Sequence, residues 1–220
     1  MTFDLWLAFV AASLVLLVIP GPTIVLVLSY AVSQGRRVAV AVAAGVALGD
    51  FLAMTASLLG LGALVLASAT LFTMLKWIGA VYLAWMGVKL FRAAQDPKPL
   101  APADAPADAP ADAPADTPIL PARQVFGHAA LVTALNPKSI AFFVAFVPQF
   151  IRTDAPLWPQ FAILIATFVT MAAANALSYA LLADRMGERL RRPSAMVWMN
   201  RAGGTALIGM GALTALLKRA

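Results

Sequence analysis

The sequence has no cysteine and little charge. Of its 220 residues only 12% are Asp, Glu, Lys or Arg, and one histidine is present. Without cysteine, disulfides, thiol redox chemistry and thiolate metal sites are excluded. With so few charged side chains, the chain cannot form the polar surface that a soluble domain of this length needs.

Apolar residues take the place of the missing charge. They make up 62% of the chain, and the mean hydropathy is +0.86. A helix needs about 20 apolar residues to cross the hydrocarbon core of a bilayer. Six segments satisfy this requirement, approximately over 5–30, 38–64, 70–92, 124–151, 159–183 and 198–217. The fold-class prediction is therefore an all-α integral membrane protein with six transmembrane helices. Five spans, with one terminus moved to the other side, are the alternative.

A low-complexity tract divides the chain in two. Residues 101–116 read APAD four times over, with no side chain large enough to pack. We predict a flexible cytoplasmic linker, rich in Ala, Pro and Asp, over 95–122. It joins a three-helix unit over 1–94 to a second three-helix unit over 123–220.

The two units resemble each other. WIGAVYLAWMG (77–87) aligns with RAGGTALIGMG (201–211), and the first helix of each unit contains a proline break. With three spans per unit, the second unit enters the membrane from the opposite side. The prediction is a pair of inverted repeats, a plan that many secondary transporters share.

The proline breaks define the first candidate site. Gly21 and Asn136 can cap a helix end, and Pro22 and Pro137 can each begin the helix that follows. Such a break exposes backbone N–H groups and the positive end of a helix dipole, which favours a carboxylate or phosphate. The predicted substrate-binding residues are Gly21, Pro22, Thr23, Asn136, Pro137, Lys138 and Asn175. A plain kink that serves packing is the structural alternative.

Asp50 lies near the middle of the second predicted span. A charged carboxylate is costly there, so we expect it to be protonated, paired or facing a wet cavity. We predict a proton-coupling role, with a hydrogen bond between helices as the alternative. Gly45 and Gly49, just before it, are spaced as GxxxG and predict close contact with another helix.

Basic residues concentrate on one side of the predicted bundle. The first, third and fifth connections contain most of them: Arg36, Arg37, Lys89, Arg92, Lys98, Arg123, Arg185, Arg189, Arg191 and Arg192. By the positive-inside rule these connections are cytoplasmic, so both termini are predicted to be periplasmic.

The stretches 20–50, 76–92, 127–150 and 201–211 resemble the lysine exporter and homoserine/threonine resistance (LysE/RhtB) family of bacterial amino-acid efflux proteins. PGP, GD, NPK and PQF occur in them in that order. The resemblance implies a multi-pass inner-membrane exporter, similar to proton-driven members. It also implies a site role for six residues of these motifs: Gly21, Pro22, Asp50, Asn136, Pro137 and Lys138.

Together these features predict a secondary active exporter of amino acids or related small metabolites across the inner membrane, coupled to protons, with no cofactor and no bound metal. A divalent-cation exporter is the alternative among carriers, although the spans lack the His and carboxylate clusters that such ions favour. The sequence has neither an HExxH motif nor paired aspartates in the spans, so it gives no indication of an intramembrane enzyme. A non-transporting membrane scaffold remains the alternative from another class. The predicted partners are the substrate, protons and the bilayer, not nucleic acid, and the Gly-rich faces leave room for a homodimer.

Overall fold

The computed structural model describes residues 1–19, 21–95, 120–152, 154–190 and 193–216. All regular secondary structure in these ranges is helical, of the α, 3-10 or π type. No strand occurs within them, as the all-α prediction requires. Pro20 and nearly all of the predicted linker lie outside the described residues.

The first predicted span consists of two helices. Helix α1, Phe3–Val18, and helix α2, Pro22–Gln34, meet at an angle of 54°. A 3-10 turn over Arg36–Val38 then leads into α3, Ala39–Ala67, and α4, Ala69–Ala93, completes the first half. The predicted break therefore falls inside the first span.

The fourth predicted span is less regular than the sequence suggested. Helix α5, Ala122–Ala134, and helix α6, Pro137–Ala141, are followed by a π turn over Phe142–Phe146 and a 3-10 turn over Val147–Phe150. The break predicted at Asn136–Pro137 separates α5 from α6, whereas the change to π and 3-10 geometry after Ala141 was not predicted. Pro148 has no N–H to continue the α-helical hydrogen bonds, so the chain changes to other helical geometries around it.

The fifth and sixth predicted spans correspond to α7, Leu157–Leu190, and α8, Pro193–Leu216. Both are longer than their predicted segments. Among the residues that the structure describes, four helical stretches are long and apolar enough to cross a membrane: Arg36–Ala63, Thr73–Ala93, Ala122–Phe150 and Leu157–Ala183. The bent pair α1 and α2 makes a fifth if it counts as one span. Six spans therefore remain a prediction.

Large apolar side chains cover the outside of the helix bundle. Among the most exposed are Val40, Ile78, Val81, Leu131, Leu135, Trp158 and Trp198. Such a surface is unfavourable in water and suits lipid. The described helices therefore have the exterior of a membrane protein.

Glycines bring the helices of the two halves into close contact. A Cβ atom on Gly49 of α3 would lie 2.6 Å from the carbonyl oxygen of Ala130 and 2.7 Å from the Cβ of Thr133, both on α5. A Cβ atom on Gly87 of α4 would lie 2.6 Å from the carbonyl oxygen of Gly204 on α8. The close helix contact predicted from the GxxxG spacing is confirmed.

Candidate functional site

The break between α1 and α2 has the predicted cap. Gly21 is the N-cap residue of α2 and Pro22 is its first residue. The first hydrogen bond of α2 runs from the N–H of Val25 to the carbonyl of Gly21, at 3.0 Å. The N–H groups of Thr23 and Ile24 precede that bond, so neither has an acceptor within the helix.

The break between α5 and α6 is built in the same way. Asn136 is the N-cap residue of α6, and Pro137 follows as the first residue of the helix. The Oδ1 atom of Asn136 accepts a hydrogen bond from the backbone N–H of Lys138, at 3.0 Å. Both caps predicted from the sequence are confirmed as local structure.

The two breaks touch each other inside the protein. The Nδ2 atom of Asn136 donates a hydrogen bond of 2.9 Å to the hydroxyl of Thr23. That hydroxyl also lies 3.4 Å from the hydroxyl of Thr133 on α5. A polar contact thus joins the start of α2 in the first half to the break in the second half.

Side chains from the second half satisfy the carbonyl groups at the end of α1. The Nζ atom of Lys138 donates to the carbonyls of Leu16, at 2.9 Å, and Ile19, at 2.7 Å. Two side chains of α7 complete the set: Asn175 Nδ2 donates to the Leu17 carbonyl at 3.1 Å, and the Tyr179 hydroxyl donates to the Val18 carbonyl at 3.3 Å. Four consecutive carbonyls therefore accept hydrogen bonds from three side chains.

The prolines explain why these carbonyls need partners from elsewhere. In a continuous helix, the carbonyls of Leu16 and Val18 would accept from the N–H groups four residues later, at positions 20 and 22. Proline occupies both positions and has no N–H. A buried carbonyl without a partner costs free energy, so the side chains from the second half stabilise this helix end.

A cavity lies where the two breaks and helices α3 and α7 meet. About 370 Å³ of empty space lies at this point, a figure that includes open solvent at the mouth of the cavity. Its polar or glycine lining consists of Gly21, Thr23, Asp50, Asn136, Lys138, Ser139 and Asn175. Six of the eight residues named from the sequence are among them. Pro22 and Pro137 do not line it; they are the first residues of α2 and α6.

Asp50 is the acidic group of the cavity. Its side chain is 3% exposed, and its Oδ1 atom has no hydrogen-bond partner among the described residues. Lys138, 6% exposed, is the oppositely charged neighbour with which it interacts electrostatically. Because Gly49 presses α3 against α5, the residue that follows it is brought to the cavity beside the second break.

Some groups of the site were not foreseen. Ser139 lines the cavity, Thr133 contacts Thr23, and the carbonyls of α1 accept from Lys138. Counting the N–H groups that Pro20 and Pro22 remove would have identified the Leu16 carbonyl from the sequence, but not that of Ile19. No comparable signal marks Thr133 or Ser139. Within the described residues, no group of three or more His, Cys, Asp or Glu side chains could hold a metal ion.

Comparison with known proteins identifies the family. The family model described as "LysE type translocator" matches residues 14–218. The chain belongs to the LysE type translocator family. The resemblance found in the sequence motifs is thus confirmed over nearly the whole chain.

Relatives of the chain align with 80% to 100% of its length. A homoserine/homoserine lactone efflux protein of Salmonella typhimurium is 32% identical over 100% of both chains. An uncharacterized membrane protein of Vibrio cholerae is 34% identical over 99% of this chain and 100% of its own. A leucine efflux protein of Salmonella typhimurium is 29% identical over 80% of this chain and 77% of its own. No solved structure matches the chain.

Proposed function

We propose that this protein is a secondary active exporter of amino acids or related small metabolites in the bacterial inner membrane. The observation that carries the proposal is the cavity in which two broken helices, a buried acid and a buried lysine meet. Membership of a translocator family supports it, as do full-length relatives named as efflux proteins.

The broken first span offers opposite partial charges to a zwitterion. The start of α2 presents the N–H groups of Thr23 and Ile24 and the positive end of the helix dipole, which suit a carboxylate. The end of α1 presents carbonyls and the negative end of its dipole, and Asp50 adds a carboxylate to the same cavity. An α-amino acid has the complementary pair of charges on neighbouring atoms.

We further propose six spans arranged as two inverted repeats, 1–94 and 123–220, joined by the cytoplasmic linker. The contacts between helices support this arrangement. In such a repeat α1 with α2 corresponds to α5 with α6, α3 to α7, and α4 to α8. Helix α3 packs on α5 as α7 packs on α1, and α4 packs on its own counterpart α8. Both termini are then periplasmic, as the distribution of basic residues predicts.

Rocking of the two repeats about the cavity would expose it alternately to the two sides of the membrane. We propose that Asp50 takes up a proton from the periplasmic side and releases it to the cytoplasm, so that inward proton movement drives export. Its burial without a hydrogen-bond partner for Oδ1 supports this role, because such a group is costly in its charged form.

An efflux assay tests the proposal. Cells that overproduce amino acids, with and without the protein, are loaded with dipeptides, and external amino acids are followed over time. We expect one amino acid, or a small related group, to appear faster when the protein is present. Lys89→Met, which removes an exposed lysine outside the cavity, serves as the control and should export normally.

Two other outcomes would contradict the proposal. Unchanged external levels across the whole panel, including homoserine, homoserine lactone and leucine, would favour a scaffold. Faster loss of a divalent cation from the same cells, with no amino-acid efflux, would favour the cation exporter.

A further inference from the structure

We propose that Lys138 occupies the binding site for the ammonium group of the substrate, so that substrate binding displaces the lysine from the end of α1. The inference rests on the proposed function and specifies which chemical group of the substrate is recognised. It makes Lys138 an internal competitor of the substrate and not its ligand.

The end of α1 has the composition of a cation site. The carbonyls of Leu16 and Ile19 converge on the Nζ atom of Lys138, at 2.9 and 2.7 Å. The helix dipole adds partial negative charge at this end. Asp50 lines the same cavity and has an unpartnered, buried Oδ1 atom. Carbonyl oxygens and a carboxylate are the acceptors that a primary ammonium group requires.

Lys138 enters this site from the other half of the protein. It belongs to the first turn of α6, whereas its two acceptors end α1. An ammonium group has three N–H donors. Two of them are used on α1, so a third remains for another acceptor in the cavity. The ammonium group of an amino acid has the same charge and the same three donors.

The site has no room for two ammonium groups. A Cβ atom on Gly21 would already lie 3.3 Å from the Nζ atom of Lys138, which shows how closely the lysine fills the space at the break. Two cations sharing the Leu16 and Ile19 carbonyls would also repel each other strongly in a buried site. The substrate ammonium can bind only when the lysine leaves.

In the absence of substrate, Lys138 itself stabilises the cavity. Without substrate, Lys138 satisfies the carbonyls of α1 and supplies a positive charge near Asp50. With substrate, the ammonium takes over both tasks, and the substrate carboxylate is left to the N–H groups at the start of α2. A compound without an ammonium group cannot replace the lysine and is therefore excluded.

Ligands that separate the two charges test the inference. L-Homoserine has both groups, L-homoserine lactone keeps the amine but has no carboxylate, and 2,4-dihydroxybutyrate keeps the carboxylate but has no amine. Binding of each is measured by calorimetry on the purified full chain in detergent. The variants are Lys138→Met, Lys138→Gln and Lys138→Arg, with Lys89→Met as the matched control.

Removing the internal competitor should strengthen binding of the amine. We expect Lys138→Met and Lys138→Gln to bind the lactone about tenfold more tightly than the unaltered protein, because a competing state is removed. Lys138→Arg keeps the cation and should show no such gain. The control should bind like the unaltered protein, and 2,4-dihydroxybutyrate should bind to none of them.

The opposite pattern would overturn the inference. If Lys138 binds the substrate carboxylate, Lys138→Met loses affinity for homoserine and keeps its affinity for the lactone. Should neither uncharged variant fold, the unaltered protein still decides: binding of 2,4-dihydroxybutyrate but not of the lactone contradicts the inference, and the reverse supports it. Failure of all three compounds to bind also overturns it, whereas the efflux panel alone decides the proposed function.

Discussion

Replacing Gly49 by alanine should loosen the contact between α3 and α5. The added Cβ atom would lie 2.6 Å from the Ala130 carbonyl oxygen and 2.7 Å from the Thr133 Cβ. Non-bonded heavy atoms in ordinary contact lie about 3.5 Å apart. To restore that distance, the two helices have to separate by roughly 1 Å. Because the first obstacle is backbone, a change of side-chain rotamer cannot relieve it. Overpacking of this kind costs about 1–3 kcal/mol.

Gly60→Ala is the matched control for this experiment. Gly60 lies in the same helix, and a Cβ atom there would have no heavy atom within 4 Å. The same substitution should leave stability unchanged or raise it by up to about 1 kcal/mol, because alanine favours a helix over glycine.

The free energy of unfolding is measured for both variants by titrating the protein in mild detergent with a denaturing detergent and following tryptophan fluorescence. Gly49→Ala should unfold at a clearly lower fraction of denaturing detergent than Gly60→Ala. Equal midpoints for the two would refute the close contact between α3 and α5, and with it the reason given for the position of Asp50.

Three further predictions concern the site and the topology. Asp50→Asn should abolish the acceleration of export that an acidic exterior gives the unaltered protein, and efflux at two external pH values measures this; a preserved pH dependence contradicts the proton-coupling role. Asn136→Ala should lose the cap of α6 and the bond to Thr23, lowering the free energy of unfolding by about 2 kcal/mol in the same detergent titration; Asn136→Asp, which keeps a capping oxygen, should lose less. Single cysteines at Thr2 and Ala105, in a chain that has no other cysteine, should react with a membrane-impermeant thiol reagent from opposite sides of the membrane; reaction from one side contradicts the predicted topology.

Local chemistry made the two breaks predictable. Pro22 and Pro137 cannot donate to a preceding turn, and each follows a residue that can cap a helix. The structure places Gly21 and Asn136 as those caps. Asp50 was predictable as a candidate for a similar reason, since an acid in an apolar segment needs a polar environment.

The partners of these groups could not be predicted from the sequence. Lys138 bonds to Leu16 and Ile19, which lie more than a hundred residues away along the chain. The sequence suggested that its charge would attract an anion, but nothing local indicates that it caps a helix end. Such a pairing depends on how the two halves pack, and no residue pattern within either half records it.

The π turn after α6 illustrates the same limit. Phe142 and Phe143 of this turn pack against Phe168 of α7, with ring centroids 6.0 and 4.9 Å away. Ala145 lies directly against Gly79 of α4. The geometry of the turn thus depends on neighbours from two other helices. A single-sequence pattern shows only that the stretch is apolar.

The hydrogen bonds at the breaks bind the two halves together in a way that constrains how they can move. The carbonyls at the end of α1 have their side-chain partners on α6 and α7, and Thr23 has its partner at the second break. Separating the halves without replacement would leave several buried polar groups unsatisfied, at about 1–3 kcal/mol for each. A substrate that supplies an ammonium group offsets part of that cost as Lys138 leaves. Movement of the two halves would then be coupled to the presence of substrate by the same hydrogen bonds that link the halves in the empty protein.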